Sequence, residues 1–280
     1  MKIGVIDVGG GFRSSFGAGV LDYCIDNNIH FDYGIGVSAG AANMCSYMAE
    51  QKGRNLEFFT KYFDRPEYMS VKNFIKTGSY LGLDYIYSTL SNHDGENPLD
   101  YEKIKNSNCE MVIVATNALT GEPHYFTKSD MTQDNYNPVK ASSCVPVADK
   151  PYVIDDIPYY DGGMSDPVPY KRAFEDGCDK VVLILTRPKY FRRSSNKDKL
   201  IVDLLKRHYP NAARAMSYRA EVYNESVDEC IKLEKQGKML VVAPDSIGNM
   251  KTLTKDVEAI KALHQKGYEQ GVEISKFLNK

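Results

Sequence analysis

The sequence predicts an α/β fold with a mainly parallel central sheet, because short apolar runs rich in β-branched residues alternate with longer segments of helical periodicity. Each run is nearly continuous in apolar residues, which is typical of strands that helices cover on both faces. The predicted buried strands span residues 3–8, 33–37, 111–117, 181–186 and 239–243, and a predicted edge strand spans 123–127.

Helical patterns fill the intervals between these strands. The predicted helices span residues 14–27, 39–51, 56–63, 100–106, 167–175, 210–236 and 252–278. In the last of these, apolar residues recur at steps of three and four and therefore form one stripe on the helix surface. The residues of this stripe are Leu253, Val257, Ile260 and Leu263. We expect this helix to cover the sheet.

The composition is that of an ordinary globular protein. The 280 residues are 42% hydrophobic, 26% charged and 11% aromatic, with a formal net charge of -2. The chain has no excess of positive charge with which to hold a polyanion, so we expect no nucleic-acid partner. We expect a single domain over residues 1–280, with the motifs in 1–186 and a mostly helical C-terminal part in 187–280.

Neither a membrane span nor a secretion signal is predicted. No segment approaches the ~20 apolar residues that cross a bilayer, and the first residues lack the apolar core of a signal peptide. The six cysteines are widely spaced without a C-x-x-C pair, as expected of buried apolar side chains in a reducing compartment. We therefore expect a cytoplasmic protein without a metal site.

The segment 68–90 differs from its surroundings in being rich in aromatic and aliphatic residues without a clean period. Gly78 and Gly82 interrupt it. Two interpretations remain open, a mobile apolar cap over a site and a packed insertion, since an exposed apolar patch of this kind needs a reason.

Three consecutive glycines, Gly9, Gly10 and Gly11, lie between the first predicted strand and the first predicted helix. Glycines give the backbone conformational freedom and leave its amides bare. Successive bare N–H groups before a helix bind anions, which here means either a phosphate or a developing oxyanion. The pattern is not a dinucleotide-binding fingerprint, because Ser14 stands where its last glycine belongs.

A nucleophile elbow is predicted at Gly36-Val37-Ser38-Ala39-Gly40, where a predicted strand leads into a predicted helix. The serine of such an elbow adopts a strained backbone conformation, and the flanking glycines avoid clashes in the sharp turn. Ala39 and Gly40 leave the helix start bare, so its N–H groups face the charge that builds beside Ser38.

A carboxylate flanked by glycines, in Asp161-Gly162-Gly163, follows a predicted hairpin turn at Asp155 and Asp156. Its predicted role is either to act as a general base toward Ser38 or to orient that serine. An anion hole, a nucleophile and a base together indicate acyl transfer.

These motifs, in this order, resemble those of the patatin-like phospholipases, in particular their short bacterial members. Residues 141–146 also resemble the A-S-S-x-x-P block of that family. The resemblance extends over residues 1–186. It implies a three-layer α/β/α patatin-like fold and lipid acyl hydrolase activity that needs no metal or organic cofactor.

The resemblance also implies roles for individual residues, with Ser38 as the nucleophile and Asp161 as the proton acceptor of a dyad without histidine. The implied oxyanion hole consists of Gly9, Gly10, Gly11 and Arg13, and the implied supporting turns contain Gly36, Gly40, Gly162 and Gly163. The family usually has glycine where this chain has Ser14, which leaves the backbone path after Arg13 open.

Three alternatives fit part of the pattern. One is an α/β-hydrolase-type esterase whose triad combines Ser38 and Asp161 with His208 or His264. A second is an actin-like ATP-dependent sugar kinase, in which Asp7 would serve magnesium and ATP. A third is a scaffold that has lost its activity. For the lipid acyl hydrolase that the resemblance implies, a transient contact with a membrane surface is expected. The basic-aromatic run 187–193 is either a lipid-headgroup contact or a solvated loop.

Overall fold

The central sheet has eight strands in a computed structural model that describes residues 1–279. The strands are β1 (Ile3–Asp7), β2 (Tyr33–Val37), β3 (Glu110–Asn117), β4 (Pro123–Thr127), β5 (Tyr152–Ile154), β6 (Ile157–Asp161), β7 (Lys180–Ile184) and β8 (Met239–Val242). A parallel core runs in the order β3-β2-β1-β7-β8. Strands β4 and β6 pair antiparallel with β3, and β5 pairs antiparallel with β6.

Helices occupy the connections between these strands. The α-helices within residues 1–279 are α1 (Ser15–Asp26), α2 (Ala39–Met48), α3 (Arg54–Glu57), α4 (Val71–Thr77), α5 (Tyr101–Asn106), α6 (Asn137–Ser142), α7 (Tyr170–Glu175), α8 (Lys199–Leu205), α9 (Pro210–Lys235), α10 (Val257–Gln270) and α11 (Val272–Leu278). Two single π-helical turns, Phe58–Tyr62 and Tyr85–Thr89, add to them.

The sheet is buried on both faces. Side chains alternate across a strand, so Val5 packs into one core with Phe16 of α1 and Met44 of α2, while its neighbour Ile6 packs into another with Val227 of α9. All five of these residues are fully shielded from solvent. The predicted three-layer α/β/α arrangement with a mainly parallel sheet is confirmed.

The strand predictions agree with the structure to within two residues, but the last helix was predicted wrongly at its start. Helix α10 begins at Val257, and Leu253 lies in the preceding loop. The helix packs chiefly on α1, outside the sheet, because a glycine lies at the crossing on each helix. A Cβ on Gly267 would lie 2.0 Å from the Phe16 carbonyl oxygen, and one on Gly19 would lie 2.0 Å from that of His264.

Three short helices, α4, α6 and α8, were absent from the sequence prediction. Each has seven residues or fewer, which is too short for a periodic pattern to emerge. Helices of this length are not stable in isolation and depend on tertiary packing.

All six cysteines are buried and free, as the sequence predicts. Among the residues that the structure describes, no helix combines the length and the apolar character that crossing a membrane requires.

Candidate active site

Ser38 occupies the turn between the end of β2 and the start of α2, with a strained backbone at φ 56° and ψ -133°. The glycines on either side are sterically required. A Cβ on Gly36 would lie 2.3 Å from the Ala41 Cα, and one on Gly40 would lie 2.2 Å from the Asp7 carbonyl oxygen. This is the geometry expected of a nucleophile elbow.

The register of β3 brings Asp161 to the elbow. Strand β2 pairs with β3 up to the Val37–Val114 position, and β6 pairs with β3 from the Asp161–Ala115 position onward. Strand β4 pairs with β3 across both stretches and therefore occupies the other edge. The ends of β2 and β6 consequently meet on one edge of β3, and Ser38 follows directly at this junction.

The hydroxyl of Ser142 fills the gap between the two strand ends. It accepts a hydrogen bond from the Ser38 N–H at 2.8 Å and donates one to the Val114 carbonyl oxygen at 2.6 Å. Ser142 belongs to the A-S-S-x-x-P block, whose contribution to the site was not predicted. The sequence signal for Ser142 was the resemblance of residues 141–146 to the block of that family. That resemblance did not indicate that Ser142 bridges Ser38 and Val114.

The Asp161 carboxylate accepts a hydrogen bond from the Gly163 N–H at 2.8 Å, and the Ser38 hydroxyl lies close enough to this carboxylate to affect its pKa. Burial raises the pKa of Asp161 above its ordinary value. The nearby Ser38 hydroxyl and the positive charges of Arg219 and Arg193 act in the opposite direction and lower this pKa. The carboxylate is therefore a stronger base than an exposed aspartate, and the nearby cations limit that gain.

The glycine turn has positive φ at all three residues, 66° at Gly9, 129° at Gly10 and 62° at Gly11. The N–H of Gly9 donates to Asp7 Oδ1 at 2.9 Å inside the protein. The N–H groups of Gly10 and Gly11 have no acceptor among residues 1–279. Arg13 lies in the 3₁₀ turn Gly11–Ser14, and the Arg13 N–H donates the first i→i+3 hydrogen bond of that turn.

The four residues of the oxyanion hole predicted from the resemblance differ in the state of their amides. Gly10 and Gly11 keep amides free to bind an anion, whereas the amides of Gly9 and Arg13 are engaged within the protein. Ser14 follows Arg13 with φ -67°, a conformation open to any residue, so the absence of the family glycine does not disturb the backbone.

Asp7 fixes the glycine turn from behind. It is 0% exposed, and its second carboxylate oxygen accepts a 2.8 Å hydrogen bond from Asn43 of α2. The same amide of Asn43 donates to the Ser14 carbonyl oxygen at 2.9 Å. Burial raises the pKa of Asp7 to about 6. The kinase alternative is not supported here, because this carboxylate faces the protein interior and not the cavity.

Ser38 and Asp161 lie in the wall of a cavity of about 440 Å³ that is lined mainly by apolar side chains. The segment 68–90 forms part of this wall. Its contributing residues are Tyr68, Leu81, Leu83, Ile86 and Tyr87. Leu253, wrongly placed on a helix by the sequence pattern, also lines the cavity.

The histidines of the alternative triad lie elsewhere. Nε2 of His264 is 2.8 Å from Asp22 Oδ2, at the contact between α10 and α1. His208 is exposed, and neither histidine is among the residues that line the cavity. Asp155 and Asp156 form the hairpin turn between β5 and β6, as predicted. Within residues 1–279 no group of three or more His, Cys, Asp or Glu side chains is arranged to hold a metal.

A family model described as patatin-like phospholipase matches residues 8–174. This match covers more than half of the chain, and the chain belongs to the patatin-like phospholipase family, a family of lipid acyl hydrolases. A second model, described as a domain of unknown function, matches residues 209–279. The family resemblance predicted from the sequence is confirmed.

A curated relative is the uncharacterized protein YjjU of Escherichia coli strain K12, which is 29% identical over 193 residues. The match covers 67% of this chain and 52% of that protein, so this chain spans about half the length of the relative. The crystal structure of VipD from Legionella pneumophila is similar in fold, with a TM-score of 0.50 at 15% identity. That similarity covers 98% of this chain and 66% of the VipD chain.

Replacing Ser142 by alanine should weaken both the fold and the site. The substitution leaves the Ser38 N–H and the Val114 carbonyl oxygen without their shared partner, and a buried polar group left unpaired costs roughly 1–3 kcal/mol. We expect the free energy of unfolding, measured with urea, to fall by about that amount, and kcat for ester hydrolysis to fall with it.

Ser107→Ala is the matched control. The Ser107 hydroxyl also accepts a backbone N–H, from Cys109 at 3.2 Å, but it lies away from the cavity. If Ser142→Ala behaved like this control in both measurements, Ser142 would have no part in holding the elbow.

Proposed function

We propose that this protein hydrolyses lipid carboxylic esters through an acyl-enzyme, with Ser38 as the nucleophile and Asp161 as the base. The observation that carries the proposal is that Ser38, on a strained elbow, and Asp161 line the same cavity, where the Ser38 hydroxyl is close enough to the Asp161 carboxylate to lower its pKa. The bare amides of Gly10 and Gly11 in the same cavity support it. The family supports the lipid substrate.

In the proposed reaction, Asp161 takes the hydroxyl proton as the Ser38 oxygen attacks the ester carbonyl carbon. The resulting oxyanion is bound by the N–H groups of Gly10 and Gly11 and by the start of α2 at Ala39. A donor of this kind typically contributes ~3–4 kcal/mol of transition-state stabilisation. The alcohol leaves with the proton from Asp161, and the same carboxylate then activates the water that hydrolyses the acyl-enzyme.

The size and the lining of the cavity support the proposal that the ester substrate carries an acyl chain, which the enzyme releases. Its volume of about 440 Å³ falls in the range of small-molecule sites, and its lining is mainly apolar. The six free cysteines support a cytoplasmic location, because disulfides are rare in reducing compartments. The proposed reaction requires neither a metal nor an organic cofactor.

We further propose that α4 makes a transient contact with a membrane surface. This helix has no buried residue, and Val71, Phe74 and Ile75 are 66%, 47% and 80% exposed. Lys72 and Lys76 of the same helix provide positive charge for anionic lipids. The helix belongs to the segment 68–90 that forms part of the cavity wall, so a lipid bound there is close to the site.

Ser38→Ala and Asp161→Asn should each reduce turnover of a short-chain nitrophenyl ester by roughly 10³-fold or more, because each removes a group that acts in the chemical step. Circular dichroism and thermal unfolding should stay near those of the unchanged protein. His208→Ala and His264→Ala are the controls, and both should retain activity. Near-normal turnover by either pure dyad variant would refute the proposed mechanism.

The pH dependence should reveal the charges around Asp161. Because only the ionised carboxylate accepts the proton, kcat/KM falls as pH drops below the pKa of Asp161. Arg219 lowers that pKa, so Arg219→Gln should raise it and move the acidic limb of the profile to higher pH. Arg219→Lys keeps the charge and should leave the limb closer to its original position.

The control for this profile is Arg214→Gln, which removes an exposed arginine from the same helix. Its acidic limb should coincide with that of the unchanged protein. A limb that stays in place in Arg219→Gln, or that moves to lower pH, would contradict the electrostatic account of Asp161.

Ile75→Asp should weaken binding to anionic vesicles by roughly 10-fold or more, since burying one isoleucine side chain contributes about 1.5–3 kcal/mol. Vesicle co-sedimentation measures the binding, and turnover of a soluble short-chain ester reports on the chemistry separately. Val272→Asp is the control at another exposed apolar position, on α11. Equal loss of vesicle binding in both variants would argue against a specific contact through α4.

A further inference from the structure

Four arginines converge on the wall of the cavity beside the dyad: Arg13, Arg187, Arg193 and Arg219. They come from distant parts of the chain. Arg13 follows the glycine turn, Arg187 and Arg193 lie in the loop after β7, and Arg219 lies on α9. The fold thus assembles a cluster of guanidinium groups that no local sequence motif contains.

The cluster has few acidic partners. Arg219 Nη1 lies 3.9 Å from Asp198 Oδ1, and within residues 1–279 the other three arginines form no ion pair. Arg13 is only 4% exposed, and among the described residues its side chain makes one hydrogen bond, which Nη1 donates to Thr252 Oγ1 at 2.9 Å. The buried Nε atoms of Arg13 and Arg193 have no partner among the described residues. A buried cation without hydrogen-bond or ionic partners destabilises the folded protein, and a bound anion would offset that destabilisation.

The arginine side chains are held in place by packing. The Arg187 guanidinium lies 4.2 Å from the centre of the Phe191 ring, and that of Arg193 lies 4.7 Å from the centre of the Tyr223 ring. Asn224 of α9 tethers the Arg193 backbone by accepting its N–H at 2.7 Å. The cluster is therefore a preorganised feature of the cavity.

The charges of the cluster act on one another. Burial, together with the charges of Arg187, Arg193 and Arg219, lowers the pKa of Arg13 to about 9. Burial and the neighbouring Arg219 lower the pKa of Arg193 to about 10. Like charges brought together in this way create a strong positive potential at one end of the cavity.

The cluster adjoins the reacting groups. Arg219 Nε donates to the Gly163 carbonyl oxygen at 2.8 Å, and the Gly163 N–H bonds the Asp161 carboxylate. A Cβ on Gly10 would lie 3.2 Å from Arg13 Nη2, which places this guanidinium next to the free amides of the glycine turn. In a glycerolipid only a few bonds separate an acyl ester from the headgroup, so one molecule spans both places.

We propose that Arg13, Arg187, Arg193 and Arg219 form a subsite for the phosphate of a lipid substrate and that the subsite selects a phosphomonoester headgroup. With Lys197, which also lines the cavity, the four arginines make five positive charges, and these exceed the charges of the two carboxylates in the lining, Asp161 and Asp198, by three. A phosphomonoester carries about -1.5 to -2 at pH 7, whereas a phosphodiester carries one negative charge. Arginine suits phosphate because its planar fork binds two oxygens at once. This proposal rests on the proposed hydrolase function.

The test compares Arg193→Gln with the neighbouring control Arg192→Gln, an exposed arginine that pairs with Asp228. The substrates are a short-chain phosphatidic acid, the matching phosphatidylglycerol, the matching diacylglycerol and a nitrophenyl butyrate ester. The unchanged protein and the control should prefer the phosphatidic acid. Arg193→Gln should lose roughly 10- to 100-fold in kcat/KM for it relative to the uncharged esters, as expected for a lost hydrogen bond to a charged group. Any effect of the lost charge on Asp161 is common to all four substrates and cancels in this ratio.

Equal losses of kcat/KM on all four substrates in Arg193→Gln would mean that Arg193 is a structural residue. In that case Arg193→Lys, which keeps the charge, should not selectively restore turnover of the phosphatidic acid. Equal turnover of the phosphomonoester, phosphodiester and uncharged lipids by the unchanged protein would also overturn the proposal. Competitive inhibition by inorganic phosphate without any preference for the phosphorylated lipid would indicate a site for free phosphate and not for a headgroup.

A separate binding measurement keeps failure of the subsite distinct from failure of the hydrolase proposal. If no ester is hydrolysed, the proposed function fails. Calorimetric titration of Ser38→Ala protein with short-chain phosphatidic acid should still show binding that Arg193→Gln, added to Ser38→Ala, weakens roughly 10-fold or more. Binding that is independent of Arg193 would overturn the subsite whether or not the enzyme is active.

Discussion

The shared edge of β3 is the constraint on which the site depends. Strands β2 and β6 pair with consecutive stretches of that edge, so the residue after one strand and the last residue of the other meet. The Ser142 hydroxyl bridges the gap through two buried hydrogen bonds. A shift of either strand by one residue would turn its side chains to the opposite face of the sheet, and Ser38 and Asp161 would then point apart.

The glycine turn illustrates how close packing determines which amides remain available. Asp7 engages the first amide from inside the protein, and the 3₁₀ turn engages that of Arg13. Two amides remain without an acceptor among residues 1–279, at Gly10 and Gly11, and these two residues line the same cavity as the elbow. The buried carboxylate of Asp7 thus supports the proposed oxyanion site without taking part in it, and it ties β1, α1 and α2 to the turn.

Opposing electrostatic effects meet at Asp161. Burial favours its protonated form, while Ser38, Arg219 and Arg193 favour the carboxylate. The same arginines give one end of an otherwise apolar cavity a strong positive charge. A cavity with an apolar region and a cationic end is complementary to an amphipathic anion, which is the chemistry of a phosphorylated lipid.

The sequence by itself determined six of the eight strands, the hairpin turn between β5 and β6, the three glycine-marked turns and the identity of the candidate nucleophile and base. These depend on patterns within a few neighbouring residues. The sequence did not determine the short helices, the loop position of Leu253, the bridge made by Ser142 or the engaged amide of Gly9. Only the tertiary structure decided these, and only it brought four arginines from three regions of the chain into one cavity. The physical reason is that each is a contact between residues far apart in the chain, or a short element stabilised by such contacts, and local periodicity carries no information about them.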